Sequence, residues 1–93
     1  MVYFIYLIAM KILKFYSPTC GPCKVVETKL TSENIEHTNI DVTLEENEDA
    51  LRKYNITTIP TIVVVDGNKM VRKYNGIPTA EQFKTIKELC NKS

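Results

Sequence analysis

Two cysteines three residues apart follow directly on a short apolar segment, and this arrangement restricts the possible folds more than any other feature of the chain. Residues 11–16 are mostly apolar and end at Ser17-Pro18, as a strand ends where proline removes a backbone donor. Between Cys20 and Leu30, proline occurs only in the first turn, and apolar residues recur at helical spacing. We therefore predict a strand followed at once by a helix that begins at the first cysteine.

The remaining elements follow from the same kind of pattern. Residues 35–42 predict a second strand, and residues 45–54 predict a helix whose acidic start and basic end complement its dipole. Residues 61–65 and 69–74 flank a turn signal and predict a β-hairpin, and the first of its strands is apolar enough to be buried on both faces. Thr79 and Gln82 have capping-box spacing, ahead of a terminal helix with Phe83, Ile86 and Cys90 on one stripe.

This order predicts an α/β fold in which a βαβ unit is joined to a ββα unit. The expected architecture is a four-stranded mixed sheet with helices on both faces. It places the end of the first strand, and with it Cys20, at an exposed edge of the sheet. Cys90 is expected to pack as a small hydrophobe on the last helix, with a reactive thiol as the alternative.

Composition is consistent with one domain over residues 1–93 and limits the function. The chain has 44% hydrophobic residues and a formal net charge of +1, with lysines scattered among acids, so no nucleic-acid partner is expected. Three cysteines are too few for a disulfide framework, and a close pair suits a reducing compartment such as the cytoplasm. Nothing suggests an oligomer, so we expect a monomer.

Residues 1–9 are apolar, and several interpretations of this segment stay open. Lysines at positions 11 and 14 interrupt the run well short of the ~20 residues that a membrane span requires, so no membrane association is expected. A signal peptide is disfavoured because the segment lacks a basic start and a small-residue cleavage site. The segment is then an extra strand or extension, or it precedes a true start at Met10.

The segment Cys20-Gly21-Pro22-Cys23 indicates redox chemistry. A cysteine at a helix N-terminus has its thiolate stabilised by the helix dipole and unpaired backbone N–H groups, so Cys20 is the expected nucleophile. Cys23 lies almost one turn further on the same face and is the expected resolving thiol. Gly21 removes bulk beside the attacking sulfur and Pro22 stiffens the turn.

Metal binding is the alternative for a Cys-x-x-Cys pair. The remaining candidate ligands are His37 and Cys90, which form no second paired motif, so we expect no metal. His37 is expected to be a surface residue of the second strand.

The chain resembles thioredoxin, and in particular the short, glutaredoxin-sized members of the thioredoxin superfamily. The resemblance runs from about Met10 to the C-terminus and has matching order and spacing. It rests on the segments Phe15-Tyr16-Ser17-Pro18-Thr19-Cys20-Gly21-Pro22-Cys23-Lys24, Asn39-Ile40-Asp41-Val42, Tyr54-Asn55-Ile56-Thr57-Thr58-Ile59-Pro60-Thr61, and on Gly76.

The resemblance implies both a reaction and a site. It implies a cis proline at Pro60 against the cysteine pair, with the backbone of Ile59 pairing with an extended substrate, and a loop at Gly76 and Ile77 flanking the cysteines. It implies a reductase of disulfides in other proteins, with no tightly bound cofactor and with electrons from an external NADPH/flavin enzyme similar to thioredoxin reductase. A glutathione-linked enzyme and a non-enzymatic interaction module on the same fold are the alternatives.

Two positions depart from the common thioredoxin pattern. Thr19 stands where tryptophan usually precedes the first cysteine, which implies a smaller apolar docking surface for substrates. Lys14 stands six positions before Cys20, where a buried acid helps the resolving thiol to lose its proton. Lys14 could support the active site as a cation or as a neutral base, or it could reach solvent or pair with Glu27.

Overall fold

A computed structural model describes residues 10–90 of the chain, so residues 1–9, with their predicted extra strand or extension, and residues 91–93 lie outside it. In chain order the elements are β1 (Met10–Tyr16), α1 (Gly21–Ser32), β2 (Thr38–Asp41), a 3₁₀ turn (Glu45–Asn47), α2 (Glu48–Lys53), β3 (Thr61–Asp66), β4 (Lys69–Asn75) and α3 (Ala80–Cys90). Among these residues no helix is both long and apolar enough to cross a membrane.

The four strands form one mixed sheet in the order β2-β1-β3-β4. β1 pairs in parallel with β2, and the α1 crossover joins these two strands. β1 also pairs antiparallel with β3, and β3 pairs antiparallel with β4 in the predicted hairpin. The predicted architecture, a βαβ unit joined to a ββα unit, is therefore confirmed.

Strand alternation divides the interior into two cores, one on each face of the sheet. α1 and α3 cover one face, and we call the packing beneath them the α1/α3 core. α2 covers the other face, and we call the packing there the α2 core. The α1/α3 core consists of Ile12, Val26, Leu30, Ile35, Ile62, Val64, Phe83 and Ile86, with Cys90 half-buried against it. The α2 core is centred on Phe15, Tyr54, Val63 and Val65.

The second strand is shorter than the predicted residues 35–42, because the end of α1 uses the first of them. Asn34 takes a left-handed conformation with φ 59°, and the backbone N–H of Ile35 donates to the carbonyl of Leu30 at 2.9 Å. The N–H of Asn34 donates to Thr31 at 3.0 Å, which completes a Schellman motif with Ile35 packed against Leu30. Ile35 is thus part of a helix cap, and pairing with β1 begins at Thr38.

The second helix is also shorter than predicted, and it ends in the same way. The range 45–54 divides into the 3₁₀ turn and the short α2. Asn55 is left-handed with φ 53°, and Ile56 donates to the carbonyl of Leu51 at 2.9 Å. Ile56 then packs against the α2 core, so this second Schellman motif returns the chain to the sheet.

The predicted capping box of the last helix is present. The N–H of Gln82 donates to Thr79 Oγ1 at 3.1 Å, and the N–H of Thr79 donates to Gln82 Oε1 at 2.9 Å. This reciprocal pair fixes the start of α3 and therefore the direction in which Phe83 and Ile86 enter the core.

Two substitutions on α1 test this division between core and surface. Leu30→Ala removes a side chain that is fully buried in the α1/α3 core, and we expect it to lower the free energy of unfolding by about 2–5 kcal/mol. Val25→Ala, on the same helix but 55% exposed, should change it by less than about 0.5 kcal/mol. Urea unfolding followed by circular dichroism measures both, and equal losses would contradict the assignment.

Candidate active site

Cys20 is the N-cap of α1, the residue at which the chain turns from the loop into the helix. Its Sγ accepts a hydrogen bond from the backbone N–H of Cys23 at 3.1 Å, in the place where a serine or aspartate oxygen caps other helices. The Cys20 N–H donates to the carbonyl of Ser17 at 3.2 Å, which closes the preceding turn. The positive end of the helix dipole therefore acts on this sulfur.

The two cysteines form a disulfide, with their Cα atoms 5.2 Å apart. They differ in exposure: Cys20 is half-buried, whereas Cys23 is only 2% exposed and lies on the inner side of the helix. Gly21 and Pro22 between them are exposed, and a Cβ on Gly21 would meet no atom within 4 Å. One sulfur thus faces partners and the other faces the interior.

Strand directions bring the predicted site residues to one end of the sheet. β1 ends where β3 begins, because Phe15 pairs with Thr61 in an antiparallel register. The loop with Cys20 therefore leaves the sheet at the end where Pro60 enters it. The Ile59–Pro60 bond is cis, as the resemblance implies.

The loop after β4 reaches the same end of the sheet. The N–H of Gly76 donates to the carbonyl of Pro60 at 2.7 Å, so these two predicted residues are in direct contact. Gly76 has φ +82°, a conformation that favours glycine. Ile77 is 47% exposed and Thr19 is exposed, whereas Ile59 is half-buried against the α2 core.

Lys14 is buried and pairs with Glu27, one of the outcomes considered for it. β1 alternation directs Lys14 to the same face as Ile12, beneath α1, where it is 3% exposed. Its Nζ donates to Glu27 Oε1 at 2.7 Å and lies 5.1 Å from the centre of the Tyr16 ring. Glu27 follows Cys23 by four residues, so it projects from the same side of α1 one turn later.

His37 is a correction to the sequence analysis, which expected a surface residue of the second strand. It lies just before β2, and its side chain is only 9% exposed. Its Nε2 is 2.9 Å from Glu27 Oε1 and its Nδ1 is 2.8 Å from the carbonyl oxygen of Ile35. The Schellman motif at the end of α1 turns the chain back toward the helix, which is why this ring meets Glu27.

Glu27 is held as a carboxylate by these partners. The hydrogen bond from Lys14, opposed in part by desolvation and helped by His37, lowers the pKa of Glu27 from an ordinary value of 4.5 to about 2. Thr31 Oγ1 donates to the second carboxylate oxygen at 3.2 Å. The group therefore carries its negative charge throughout the neutral pH range.

A cleft of about 220 Å³ is lined by both members of this ion pair and by Cys23. Its lining residues come from β1, the following loop, α1 and β2. They are Lys14, Tyr16, Ser17, Pro18, Cys23, Lys24, Glu27 and Asn39. Within residues 10–90 no three His, Cys, Asp or Glu side chains are grouped so as to hold a metal ion.

A disulfide-forming cysteine pair at the start of a helix, at one end of a β2-β1-β3-β4 mixed sheet, defines a thiol–disulfide oxidoreductase. The thioredoxin family model matches residues 8–88. The chain belongs to the thioredoxin family, whose members carry no tightly bound cofactor.

Similar proteins agree with this membership. The chain is 35% identical to the SPbeta prophage-derived thioredoxin-like protein YosR of Bacillus subtilis, over 86% of this chain and 99% of that protein. It is 32% identical to Thioredoxin-T of Drosophila melanogaster over 70% of this chain, but this spans only 44% of the length of that protein. The structure of Fasciola hepatica thioredoxin superposes with a TM-score of 0.72 at 27% identity, covering 91% of this chain and 85% of that one.

Acid unfolding tests the ion pair. Because the pKa of Glu27 is lowered from 4.5 to about 2 on folding, its contribution to stability is complete above about pH 4.5 and is lost as the pH falls toward 2. Glu27→Gln should lower the free energy of unfolding by about 1 kcal/mol at neutral pH, a value reduced for the partial exposure of the carboxylate. This difference from the unmodified chain should disappear as the pH falls toward 2. Glu36→Gln, an exposed carboxylate near β2, should show no such pH-dependent deficit.

Proposed function

We propose that the chain reduces disulfide bonds in other proteins, with Cys20 as the attacking thiolate and Cys23 as the resolving thiol. The observation that carries this assignment is the difference between the two sulfurs. Cys20 caps α1 in a half-buried position, where the dipole and the Cys23 N–H stabilise a thiolate, whereas Cys23 is buried beneath it. Only the first sulfur is open to an incoming disulfide.

The reaction proceeds in two exchange steps. The Cys20 thiolate attacks one sulfur of the substrate disulfide, forms a mixed disulfide and releases the other substrate sulfur as a thiolate, which takes a proton from water. Cys23 then loses its proton and attacks Cys20 Sγ, which releases the second substrate thiolate. Two electrons pass to the substrate, and the chain is left with the Cys20–Cys23 disulfide.

The substrate-binding surface in this proposal is the end of the sheet around the cysteines. We expect Thr19, Ile59, Gly76 and Ile77 to form this surface. The Gly76 N–H donates to the carbonyl of Pro60, the residue that follows Ile59. The backbone of Ile59 would pair with an extended segment of the substrate, as the resemblance implies. An external NADPH/flavin reductase would return electrons to the disulfide, and the cysteine usage supports a reducing compartment such as the cytoplasm.

Single-cysteine variants test the order of attack. Cys23→Ser keeps the nucleophile and removes the resolving thiol. It should therefore accumulate a mixed disulfide with native insulin. Cys20→Ser should form none, and Cys90→Ser, a half-buried thiol away from the site, should behave like the unmodified chain. Non-reducing gel electrophoresis with mass spectrometry measures the adduct. An adduct on Cys23 in Cys20→Ser, with none in Cys23→Ser, would reverse the roles of the two cysteines.

Insulin reduction with two electron sources tests the activity itself. We expect turnover with thioredoxin reductase and NADPH, and less with glutathione, glutathione reductase and NADPH; the reverse order would favour the glutathione-linked alternative. Activity in neither system, with dithiothreitol also failing to support it, would overturn the proposal. Binding of a partner that survives replacement of both Cys20 and Cys23 by serine would favour a non-enzymatic module.

A further inference from the structure

Lys14 lies in the protein interior, where the loss of hydration destabilises a charged side chain. It is 3% exposed, and a buried ammonium is tolerated only where a partner and hydrogen bonds replace its lost hydration. Glu27 provides that partner at 2.7 Å, and the face of the Tyr16 ring lies 5.1 Å away. Lys14 and Glu27 therefore form an ion pair in which the Lys14 side chain is buried.

This cation shares a cleft with the buried sulfur. Lys14, Glu27 and Cys23 line the same space of about 220 Å³, together with Ser17 and Pro18. Cys23 and Glu27 stand on successive turns of α1, and Lys14 lies beneath them on β1. An ammonium favours the charged form of a thiol that borders the same cleft.

His37 holds the carboxylate from the other side. The carbonyl oxygen of Ile35 and the carboxylate of Glu27 are both acceptors, and they face Nδ1 and Nε2. His37 thus links the backbone at the end of α1 to the Glu27 carboxylate. Glu27 is thus shared between Lys14 and His37, which hold its carboxylate from two sides. The other ionisable groups along the groove that His37 borders are Lys11, Glu36 and Cys90.

We infer that Lys14 stabilises the thiolate that Cys23 must form to resolve the mixed disulfide, and that Glu27 and His37 are positioning residues that hold the ammonium at the cleft. The inference rests on the proposed role of Cys23 as the resolving thiol. The Cys23 proton leaves to water in the cleft, the thiolate attacks Cys20 Sγ, and the departing substrate thiolate takes a proton from solvent. The charge that assists the second step is thus a cation, in the position where common thioredoxins have an acid.

Titration of Cys23 in a Cys20→Ser background tests the role of Lys14 without any turnover. The readout is the chemical shift of the Cys23 β-carbon by NMR, with carbon-labelled cysteine, as a function of pH. Lys14→Met should raise the midpoint by about one pH unit, and Lys14→Gln should do the same if the methionine variant folds poorly. Lys14→Arg should restore most of the shift, because it keeps the charge.

Lys24→Met is the matched control, since Lys24 is an exposed cation that lines the same cleft and is adjacent to Cys23 in sequence. It should move the midpoint by less than a third as much as Lys14→Met, because solvent screens its charge. An unchanged midpoint in Lys14→Met and Lys14→Gln, or an equal shift in Lys24→Met, would overturn the inference.

Double variants test the positioning residues. If Glu27 holds the ammonium at the cleft, Lys14→Met should shift the Cys23 midpoint in a Glu27→Gln background by less than half of its shift with Glu27 present. A His37→Gln background should also reduce the shift caused by Lys14→Met, but by less. Additive shifts would show that Glu27 and His37 serve only the fold. Trapping by Cys23→Ser separates the two proposals. If the insulin adduct forms but Lys14→Met leaves the Cys23 midpoint unchanged, only the role of Lys14 is refuted. If Lys14→Met moves the midpoint but no adduct forms, only the proposed function is refuted.

Discussion

The pairing of β1 with both β2 and β3 is the constraint on which the rest of the structure depends. Because β1 is internal to the sheet and covered on both faces, its alternating side chains serve two cores: Ile12 and Lys14 face α1, while Phe15 faces α2. Its end determines where Cys20 begins α1. The antiparallel register with β3 then brings Pro60 to the same end, so a single strand positions both halves of the site.

The alternation along β1 also explains the unusual charge beside the cysteines. A residue two positions after Ile12 has to enter the space beneath α1, whatever its chemistry. Lysine is accepted at position 14 because Glu27 meets it from the helix and because His37 meets Glu27 from the segment before β2. The ion pair is therefore a consequence of packing, and both of its members line the same cleft as Cys23.

The sequence predicted the βαβ and ββα units and the cysteine pair at the start of α1 because these depend on strong local signals. Apolar runs, a proline in the first turn of a helix and a glycine turn each restrict the backbone on their own. The two Schellman ends were missed: Asn34 and Asn55 are left-handed residues that look like ordinary polar positions, and each moved an element boundary. The same omission explains the wrong placement of His37, since its contact with Glu27 depends on the turn made at Asn34. Cys23, Glu27 and Leu30 are spaced so that they lie on one side of α1. This spacing was the signal in the sequence that Glu27 projects from the same side of the helix as Cys23.

The sheet order has a further consequence at its two borders. β2 has only four residues, so it offers little backbone to an added strand, and β4 exposes Lys69 and Arg72 along the opposite border. Short borders and border lysines are two of the ways in which natural sheets prevent strand addition by other chains. The two borders are therefore protected against strand addition, whereas the end of the sheet with the cysteines belongs to neither border.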